Sequence, residues 1–295
     1  MSTLTQRALG RTGLTISRIG FGGAPIGLSG YLGGGDRQRL EKRDEAIAAI
    51  CRAFELGITY FDTAPGYGDG LSESLFGQAL APMRDQVVLA TKLRYDPADT
   101  EAEREASLAA SLKRLETDRV EVLQIHGSQF DDAQAESMLA SGFLEWLGKV
   151  RCRGTARAIG ITAETPSGGL ERLVASGHFD VLQIAYSLIY HGACDYQRAP
   201  FGIIPFARRY GVGITDMRTA TSGVLPRLFA QAFPEIPAPR IAEASIEFVL
   251  STPEVDCALV GMRNPREVDL NIALARRAPR FDLAELHNFY PNGRQ

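Results

Sequence analysis

Four residues with ionisable side chains stand at or near the ends of strand-like segments. Asp62, Lys92 and His126 each close an apolar run, and Tyr67 follows the first of these runs in a glycine-rich loop. Taken singly, such a residue is more often a helix cap or a solvated loop charge. Strands of a parallel barrel, however, bring their carboxyl ends to the one face where such barrels carry out chemistry. The set of four therefore predicts a catalytic site.

The rest of the chain supplies the elements that would bring those strand ends together. Short β-rich runs alternate with longer segments of helical periodicity. Strands are predicted at residues 18–23, 87–92, 120–126, 156–162, 181–186, 211–217 and 256–262, with one more strand that ends at residue 62. Helices are predicted at residues 44–56, 101–115, 168–176, 201–210, 240–250 and 265–275. Two further helices are predicted, one that begins with Ser72 as its N-cap and one around Trp146. Eight β/α units without an intervening linker predict an α/β fold, a (β/α)8 TIM barrel, as one domain over residues 1–295.

Composition and charge narrow the function classes. The 295 residues are 45% hydrophobic and 23% charged, as in an ordinary globular protein. A formal net charge of -3 provides no general basic surface for nucleic acid or anionic membranes. No window approaches the roughly 20 apolar residues of a membrane helix, and the first residues lack a signal-type apolar segment. We therefore expect a cytoplasmic protein with neither a nucleic-acid nor a membrane partner.

Several familiar site motifs are missing from the sequence. The glycine-rich segment 20–25 lacks the third glycine of the dinucleotide-binding G-x-G-x-x-G, and G-x-S-x-G, H-E-x-x-H and Walker A motifs do not occur. The four histidines show no ligand-pair spacing, and the four cysteines form no C-x-x-C. We therefore expect no metal site, and we interpret the cysteines as reduced thiols.

Motifs along almost the whole chain, in order, resemble those of the aldo-keto reductase superfamily. They are residues 9–14, Phe61-Asp62-Thr63-Ala64 with Tyr67-Gly68 and Ser72-Glu73, Ala90-Thr91-Lys92, residues 111–115 ahead of His126, and Gly261-Met262-Arg263-Asn264-Pro265 through Asn271. Segments 21–27 and 62–65 are similar to those of bacterial members that handle sugars, including aldose 1-dehydrogenases. The resemblance implies a barrel whose bottom is closed by an N-terminal β-hairpin at 8–16, and a nicotinamide cofactor extended across the upper face.

The resemblance also implies roles for the four ionisable residues. Tyr67 would act as general acid/base, donating a proton to the carbonyl oxygen when hydride reaches the carbon. Because a free phenol has a pKa of ~10, its proton is released more readily beside a cation. Lys92 would be that cation, and Asp62 would hold it in place. His126 would orient the carbonyl oxygen or assist proton transfer in the oxidative direction.

Cofactor-binding positions are carried over from the same resemblance. They are Gly22, Gly23, Thr162, Gln183, Met217, Arg218, Ser222, Gly223, Gly261, Arg263, Asn264 and Asn271. Thr162 and Gln183 would bind the carboxamide, the Met217 thioether would cover the nicotinamide ring, and the loop 218–223 would wrap the pyrophosphate.

The last of these positions bear on the choice between the two dinucleotides. Arg263 and Asn264, at a predicted helix start, would bind the 2′-phosphate, and Asn271 the adenine. This favours NADP(H), with NAD(H) as the alternative. Glu267, however, stands where a basic or amide side chain is usual.

The expected function is therefore an NAD(P)-dependent oxidoreductase that interconverts a small-molecule carbonyl (aldehyde, ketone or sugar) and an alcohol. Two alternatives stay open: an NAD-dependent aldose 1-dehydrogenase working in the oxidative direction, and a cofactor-binding regulatory subunit with little turnover. Tyr31, in the loop after the first strand, and Ser128, just after His126, are expected to contact the substrate. No oligomeric state is predicted.

Overall fold

A closed barrel of eight parallel strands forms the centre of the protein. The computed structural model describes residues 3–28, 42–194, 201–277 and 281–283. Around the barrel the strand order is β10-β3-β4-β5-β6-β7-β8-β9. The strands are β1 (Gln6–Ala8), β2 (Thr15–Ser17), β3 (Ile19–Gly22), β4 (Tyr60–Asp62), β5 (Val88–Leu93), β6 (Val120–His126), β7 (Ala156–Ala163), β8 (Val181–Ala185), β9 (Gly213–Met217) and β10 (Cys257–Gly261). The predicted (β/α)8 barrel is confirmed.

Helices follow the barrel strands and form an outer layer. They are α1 (Ala24–Gly27), α2 (Arg43–Glu55), α3 (Leu71–Leu80), α4 (Glu101–Arg114), α5 (Asp132–Ala140), α6 (Phe143–Cys152), α7 (Gly168–Ala175), α8 (Ile203–Arg209), α9 (Val224–Ala232), α10 (Ala238–Ser251) and α11 (Pro265–Ala275). Trp146 lies fully buried in α6, where its indole N–H donates to Glu105 Oε1 at 2.6 Å, so it serves helix packing. Among the described residues, no helix has both the length and the apolar character needed to span a bilayer.

The N-terminal hairpin closes the bottom of the barrel. Strands β1 and β2 pair antiparallel, and the buried side chains of Leu9, Leu14 and Ile16 form one cluster with residues of the lower barrel interior. Gly10, in the turn, has a φ of +48°, and a Cβ there would lie 2.2 Å from the backbone nitrogen of Gly213. Only glycine permits this approach, so the turn and the barrel floor are in direct backbone contact.

Four local expectations differ from the structure. Helix α1 was missed because its four residues are too few to show helical periodicity. Helix α5 was missed because its nine residues bury only two side chains and show little periodicity. Helix α9 was missed because Pro226, in its first turn, resembles a helix breaker in the sequence, although the first turn tolerates proline. Ser72 is not an N-cap: α3 begins after Gly70, and the Ser72 hydroxyl donates instead to the carbonyl oxygen of Gly23 at 3.0 Å.

Candidate active site

A buried ion pair lies inside the upper barrel, between the ends of β4 and β5. Lys92 Nζ donates to Asp62 Oδ2 at 2.7 Å and to the carbonyl oxygen of Thr63 at 2.8 Å. The Lys92 and Asp62 side chains are 1% and 4% exposed. The register of the two strands aligns Asp62 with Ala90, so Lys92, two residues further along β5, reaches the same interior layer.

The surroundings of the pair decide its protonation. Burial alone would lower the pKa of Lys92, but the negative charge of Asp62 and the hydrogen bonds to Asp62 and Tyr67 outweigh it and raise that pKa, so the ammonium persists at neutral pH. Burial raises the pKa of Asp62, and Lys92 with the amides of Gln183 and Gln124 opposes that rise. Gln124 Nε2 donates to Asp62 Oδ1 at 2.9 Å. The lysine is therefore the fixed cation of this site.

Tyr67 and His126 lie above the ion pair, at the mouth of the barrel. The ammonium nitrogen of Lys92 lies 4.9 Å from the centroid of the Tyr67 ring. The rings of Tyr67 and His126 meet edge to face, with centroids 6.0 Å apart. Loss of solvent around the imidazole, together with the positive charges of Lys92 and Arg94, lowers the pKa of His126 to about 4. The structure thus brings all four predicted residues together, with a neutral imidazole facing a phenol.

A cavity of about 630 Å³ extends from this group across the top of the barrel to α11. Asp62, Tyr67 and His126 line one end of it. Most of the predicted cofactor positions also line it, namely Gly22, Thr162, Gln183, Met217, Arg218, Ser222, Gly223, Gly261, Arg263 and Asn271. Lys92 lies beneath the cavity wall. The cavity is long and lies beside the ionisable residues, as a site for an extended ligand requires.

Two predicted positions near the ionisable residues are engaged in protein contacts. The Thr162 hydroxyl donates to the carbonyl oxygen of Gly127 at 2.9 Å and accepts from the N–H of the same residue at 3.0 Å. Gln183 Oε1 accepts from Gln124 Nε2 at 3.0 Å, and its Nε2 lies 3.9 Å from the sulfur of Met217. Gln124, which sequence reasoning missed, therefore links Asp62 to Gln183. Its signal was its position two residues before His126, on the same face of β6.

An ion pair joins the loops that follow β7 and β9. Arg218 Nε and Nη2 donate to the two carboxylate oxygens of Glu164 at 3.0 and 2.8 Å, and Nη1 donates to Ser222 Oγ at 2.7 Å. Arg218 has a φ of +68°, which costs a non-glycine residue free energy. Glu164 was not foreseen, although it stands two residues after Thr162 and so on the same side of β7. The pair fixes the loop 218–223 over the cavity.

A second ion pair lies at the start of α11. Arg263 Nη2 and Nε donate to Glu267 Oε1 at 2.6 and 3.0 Å, and the Arg263 N–H donates to Glu267 Oε2 at 2.8 Å. Asn264 does not line the cavity; its Oδ1 accepts from the Glu267 N–H at 2.9 Å and caps the helix. Arg263 therefore reaches the cavity with its charge already shared with a carboxylate.

Asp216 is a buried carboxylic acid that sequence reasoning missed. It accepts the N–H of Tyr186 at 3.0 Å, and burial raises its pKa well above the usual range. The single hydroxyl hydrogen of Thr219 faces both Asp216 Oδ2 and the carbonyl oxygen of Leu259, 2.7 Å away. The Thr219 hydroxyl thus joins the Asp216 carboxyl to the backbone of β10. Asp216 therefore ties the loop after β9 to the end of β8 and to β10.

Gly23 and Ser128 are predicted positions that do not line the cavity. The Gly23 N–H donates to the carbonyl oxygen of Asp62 at 2.8 Å, and a Cβ there would meet Phe76 and Ser72 at 2.5 Å. Ser128 is exposed and uses its carbonyl oxygen to accept from the Glu164 N–H. Tyr31 lies outside the described residues. Within the described ranges, no three histidine, cysteine or acidic side chains come close enough together to hold a metal ion.

The architecture is that of a barrel enzyme. A hairpin closes the floor of the parallel (β/α)8 barrel, and an ionisable cluster lies at its carboxyl-terminal mouth beside a long cavity. The sequence model of the aldo/keto reductase family matches residues 18–287, and the chain belongs to that family.

The relatives of this chain include enzymes named for sugars. It is 31% identical to the L-galactose dehydrogenase of Arabidopsis thaliana, over 92% of this chain and 88% of that one. It is 32% identical to a D-threo-aldose 1-dehydrogenase of a Pseudomonas species, over 75% and 71%. It also shares its fold with an aldo/keto reductase of Klebsiella pneumoniae solved with NADP and acetate, at a TM-score of 0.74 and 22% identity, over 100% of this chain and 98% of the other.

Proposed function

We propose that the protein is an NAD(P)-dependent oxidoreductase that interconverts a carbonyl compound and its alcohol by hydride transfer, with Tyr67 as the general acid/base. One observation carries the proposal: a buried Lys92, held by Asp62 at 2.7 Å, lies 4.9 Å from the centre of the Tyr67 ring, and the His126 ring meets that ring edge to face at 6.0 Å. The bound dinucleotide supplies the hydride in reduction and accepts it in oxidation.

Tyr67 moves the proton in this mechanism. As charge develops on the carbonyl oxygen, the phenol donates its proton, and the phenolate that remains is stabilised by the neighbouring ammonium of Lys92. Asp62 and the carbonyl of Thr63 hold that ammonium, so little rearrangement is needed when the phenolate forms. In the oxidative direction the phenolate takes the proton of the alcohol.

His126 acts as a neutral hydrogen-bonding group. With its pKa lowered to about 4, it carries no charge at neutral pH. An imidazolium beside Lys92 would add a second positive charge, whereas a neutral ring can donate one hydrogen bond to the substrate oxygen. We assign it to orienting the carbonyl between its ring and that of Tyr67.

The residues along the cavity fit a dinucleotide. Gln183 and Met217 lie nearest the ionisable cluster and would meet the nicotinamide, the loop 218–223 would cover the pyrophosphate, and Arg263 with Asn271 would meet the adenosine. The Arg263 cation at the start of α11 supports a preference for NADP(H). Glu267 shares that charge, so NAD(H) is accepted as well. The unbridged cysteines support a reducing, cytoplasmic setting.

A second candidate is an NAD-dependent aldose 1-dehydrogenase working in the oxidative direction. The two relatives named for sugar oxidation favour it, since they match this chain at 31% and 32% identity. The Arg263–Glu267 pair also favours it, because the carboxylate can accept hydrogen bonds from ribose hydroxyls. Initial rates of aldose oxidation with NAD, compared with carbonyl reduction by NADPH, separate the two.

The test of the proposed function is Tyr67→Phe, with Tyr210→Phe as the matched control. Tyr210 follows α8 at the opposite end of the barrel, next to Arg11 of the hairpin turn. We expect Tyr67→Phe to keep its affinity for NADPH in a fluorescence titration but to lose about 10²–10⁴-fold in kcat on a panel of aldehydes, ketones and aldoses. Equal turnover by Tyr67→Phe and the wild type refutes the proton-transfer role.

A further inference from the structure

We propose that Arg94 selects carbonyl substrates that also carry an anionic oxygen group, either a carboxylate or a phosphate. The proposal rests on the proposed function, because it concerns molecules that present a carbonyl to Tyr67 and His126. It goes further by assigning a substrate class, and a residue that recognises it, to the barrel mouth beside His126.

The placement of Arg94 follows from the alternation of side chains at the end of β5. Lys92 points into the barrel to Asp62, whereas Leu93 belongs to the core between strands and helices. Tyr95 is on the outer side too: its ring packs on Phe143 with centroids 4.9 Å apart. Arg94, between two outward residues, therefore extends from the inner side of the barrel mouth, one layer above Lys92.

The pairing of β5 with β6 sets Arg94 beside His126. Lys92 is aligned with Gln124 and Leu93 with Ile125, so the next positions along the two strands are Arg94 and His126. Adjacent strands lie about 4.8 Å apart. The positive charge of Arg94 is also one of the causes that lower the pKa of His126, which is consistent with this proximity.

Arg94 has no counter-ion in the part of the chain that the structure describes. Its side chain is exposed, and no hydrogen bond or ion pair engages it there. Other charges at the mouth are committed: Arg218 is held by Glu164, and Asp96, two residues after Arg94, accepts the N–H of Ala98 at 2.9 Å. The rim of the mouth thus presents a cation available to a ligand.

The chemistry of the guanidinium defines what it would recognise. Its donors form a fork that matches the oxygens of a carboxylate or a phosphate, and the charge makes those hydrogen bonds stronger than neutral ones. A substrate whose carbonyl oxygen lies between Tyr67 and His126 has Arg94 beside it on the rim. An anionic substituent on such a substrate gains this contact, whereas a neutral analogue leaves the guanidinium in water.

The experiment compares neutral and anionic substrates built on one scaffold. D-Galactose, D-galacturonate and D-galactose 6-phosphate form one set, and butanal with 4-oxobutanoate forms a second. The variants are Arg94→Gln and Arg94→Lys, and the matched control is Arg172→Gln, which removes the same charge from an exposed residue of α7. The readout is the ratio of kcat/KM for the anionic substrate to that for its neutral partner.

We expect this ratio to exceed one in the wild type and to fall about tenfold in Arg94→Gln, the effect of losing one charged hydrogen bond. Arg94→Lys keeps part of the preference, and Arg172→Gln keeps all of it. A fall confined to galacturonate and 4-oxobutanoate identifies the group as a carboxylate, and a fall confined to the 6-phosphate identifies a phosphate. The pKa of His126, followed by NMR titration, rises in Arg94→Gln.

Three results overturn the inference. The first is an unchanged ratio in Arg94→Gln while neutral carbonyls are still turned over, which leaves the proposed function standing. The second is an equal fall in Arg172→Gln, which would trace the preference to net charge rather than to Arg94. The third is an unchanged pKa of His126. If no carbonyl is turned over at all, the proposed function fails and this inference fails with it.

Discussion

Replacing Lys92 by methionine separates the structural role of the buried ion pair from its chemical role. Methionine nearly matches the length of the lysine stem but leaves Asp62, 4% exposed, without its cation. The carboxylate would keep the hydrogen bond from Gln124 at 2.9 Å, and the Thr63 carbonyl would lose its donor. Because both partners are almost completely buried, solvent cannot compensate for the loss.

The magnitude follows from the burial. Removing one member of a buried pair costs about 3–5 kcal/mol, a large part of the roughly 5–15 kcal/mol that stabilises a typical protein. For a chain of this length that corresponds to a fall in Tm of about 6–10 °C. Burial already raises the pKa of Asp62, and losing Lys92 raises it further. The folded variant therefore binds more protons than the unfolded chain above pH 4, and its stability recovers as the pH falls from 7 towards 5.

Thermal unfolding at pH 5 and 7, together with steady-state turnover, tests these expectations. We expect the double variant that combines Asp62→Asn with Lys92→Met to regain most of the lost stability at pH 7, because no buried charge remains at this pair. Turnover stays lower by about 10²–10⁴-fold in both, since the phenolate of Tyr67 loses its cation. Lys149→Met, which removes an exposed lysine paired with Glu101 at 3.2 Å, serves as the control and should change little. A Lys92→Met variant that keeps the wild-type Tm and the wild-type turnover refutes the reasoning.

Two further predictions concern residues around the cavity. Glu267→Gln frees Arg263 from its carboxylate, so the ratio of NADPH to NADH affinity, measured by fluorescence titration, should rise by about twofold to fivefold. The distant Glu145→Gln should leave that ratio unchanged. A constant or lower ratio in Glu267→Gln would disprove the role of Arg263 in cofactor preference. Because the pKa of Asp216 is raised in the folded state, the folded protein keeps a proton there that the unfolded chain releases above pH 4. The free energy of unfolding should therefore fall by up to about 1.4 kcal/mol per pH unit as the pH rises towards the folded pKa. Asp216→Asn should flatten this dependence in denaturant titrations at pH 5, 6.5 and 8, whereas the exposed Asp118→Asn should not; identical slopes in wild type and Asp216→Asn would show that the acid is ionised.

The barrel itself could be predicted from the sequence because its signals are local. Period-two and period-3.6 patterns lie within single segments, and all eight predicted barrel strands coincide with observed ones within a few residues at each end. The three helices that escaped prediction lacked such a signal: α1 has only four residues, α5 shows little periodicity, and α9 carries a proline in its first turn.

The sequence by itself determined which side chains reach the mouth of the barrel. Strand ends and side-chain alternation are properties of neighbouring residues, and they predict that Asp62, Lys92 and His126 lie on one face. The ion pair of Arg263 with Glu267 is also local, because the two residues stand four apart on either side of the N-cap of α11.

The tertiary structure alone decided how those side chains are used. Thr162 is engaged by Gly127, 35 residues away, and Arg218 by Glu164, 54 residues away. Thr219, which contacts Asp216, also donates to the carbonyl oxygen of Leu259, 40 residues further on. A hydrogen bond depends on distances of a few tenths of an ångström between groups on different strands, and no pattern within one segment of sequence encodes those distances.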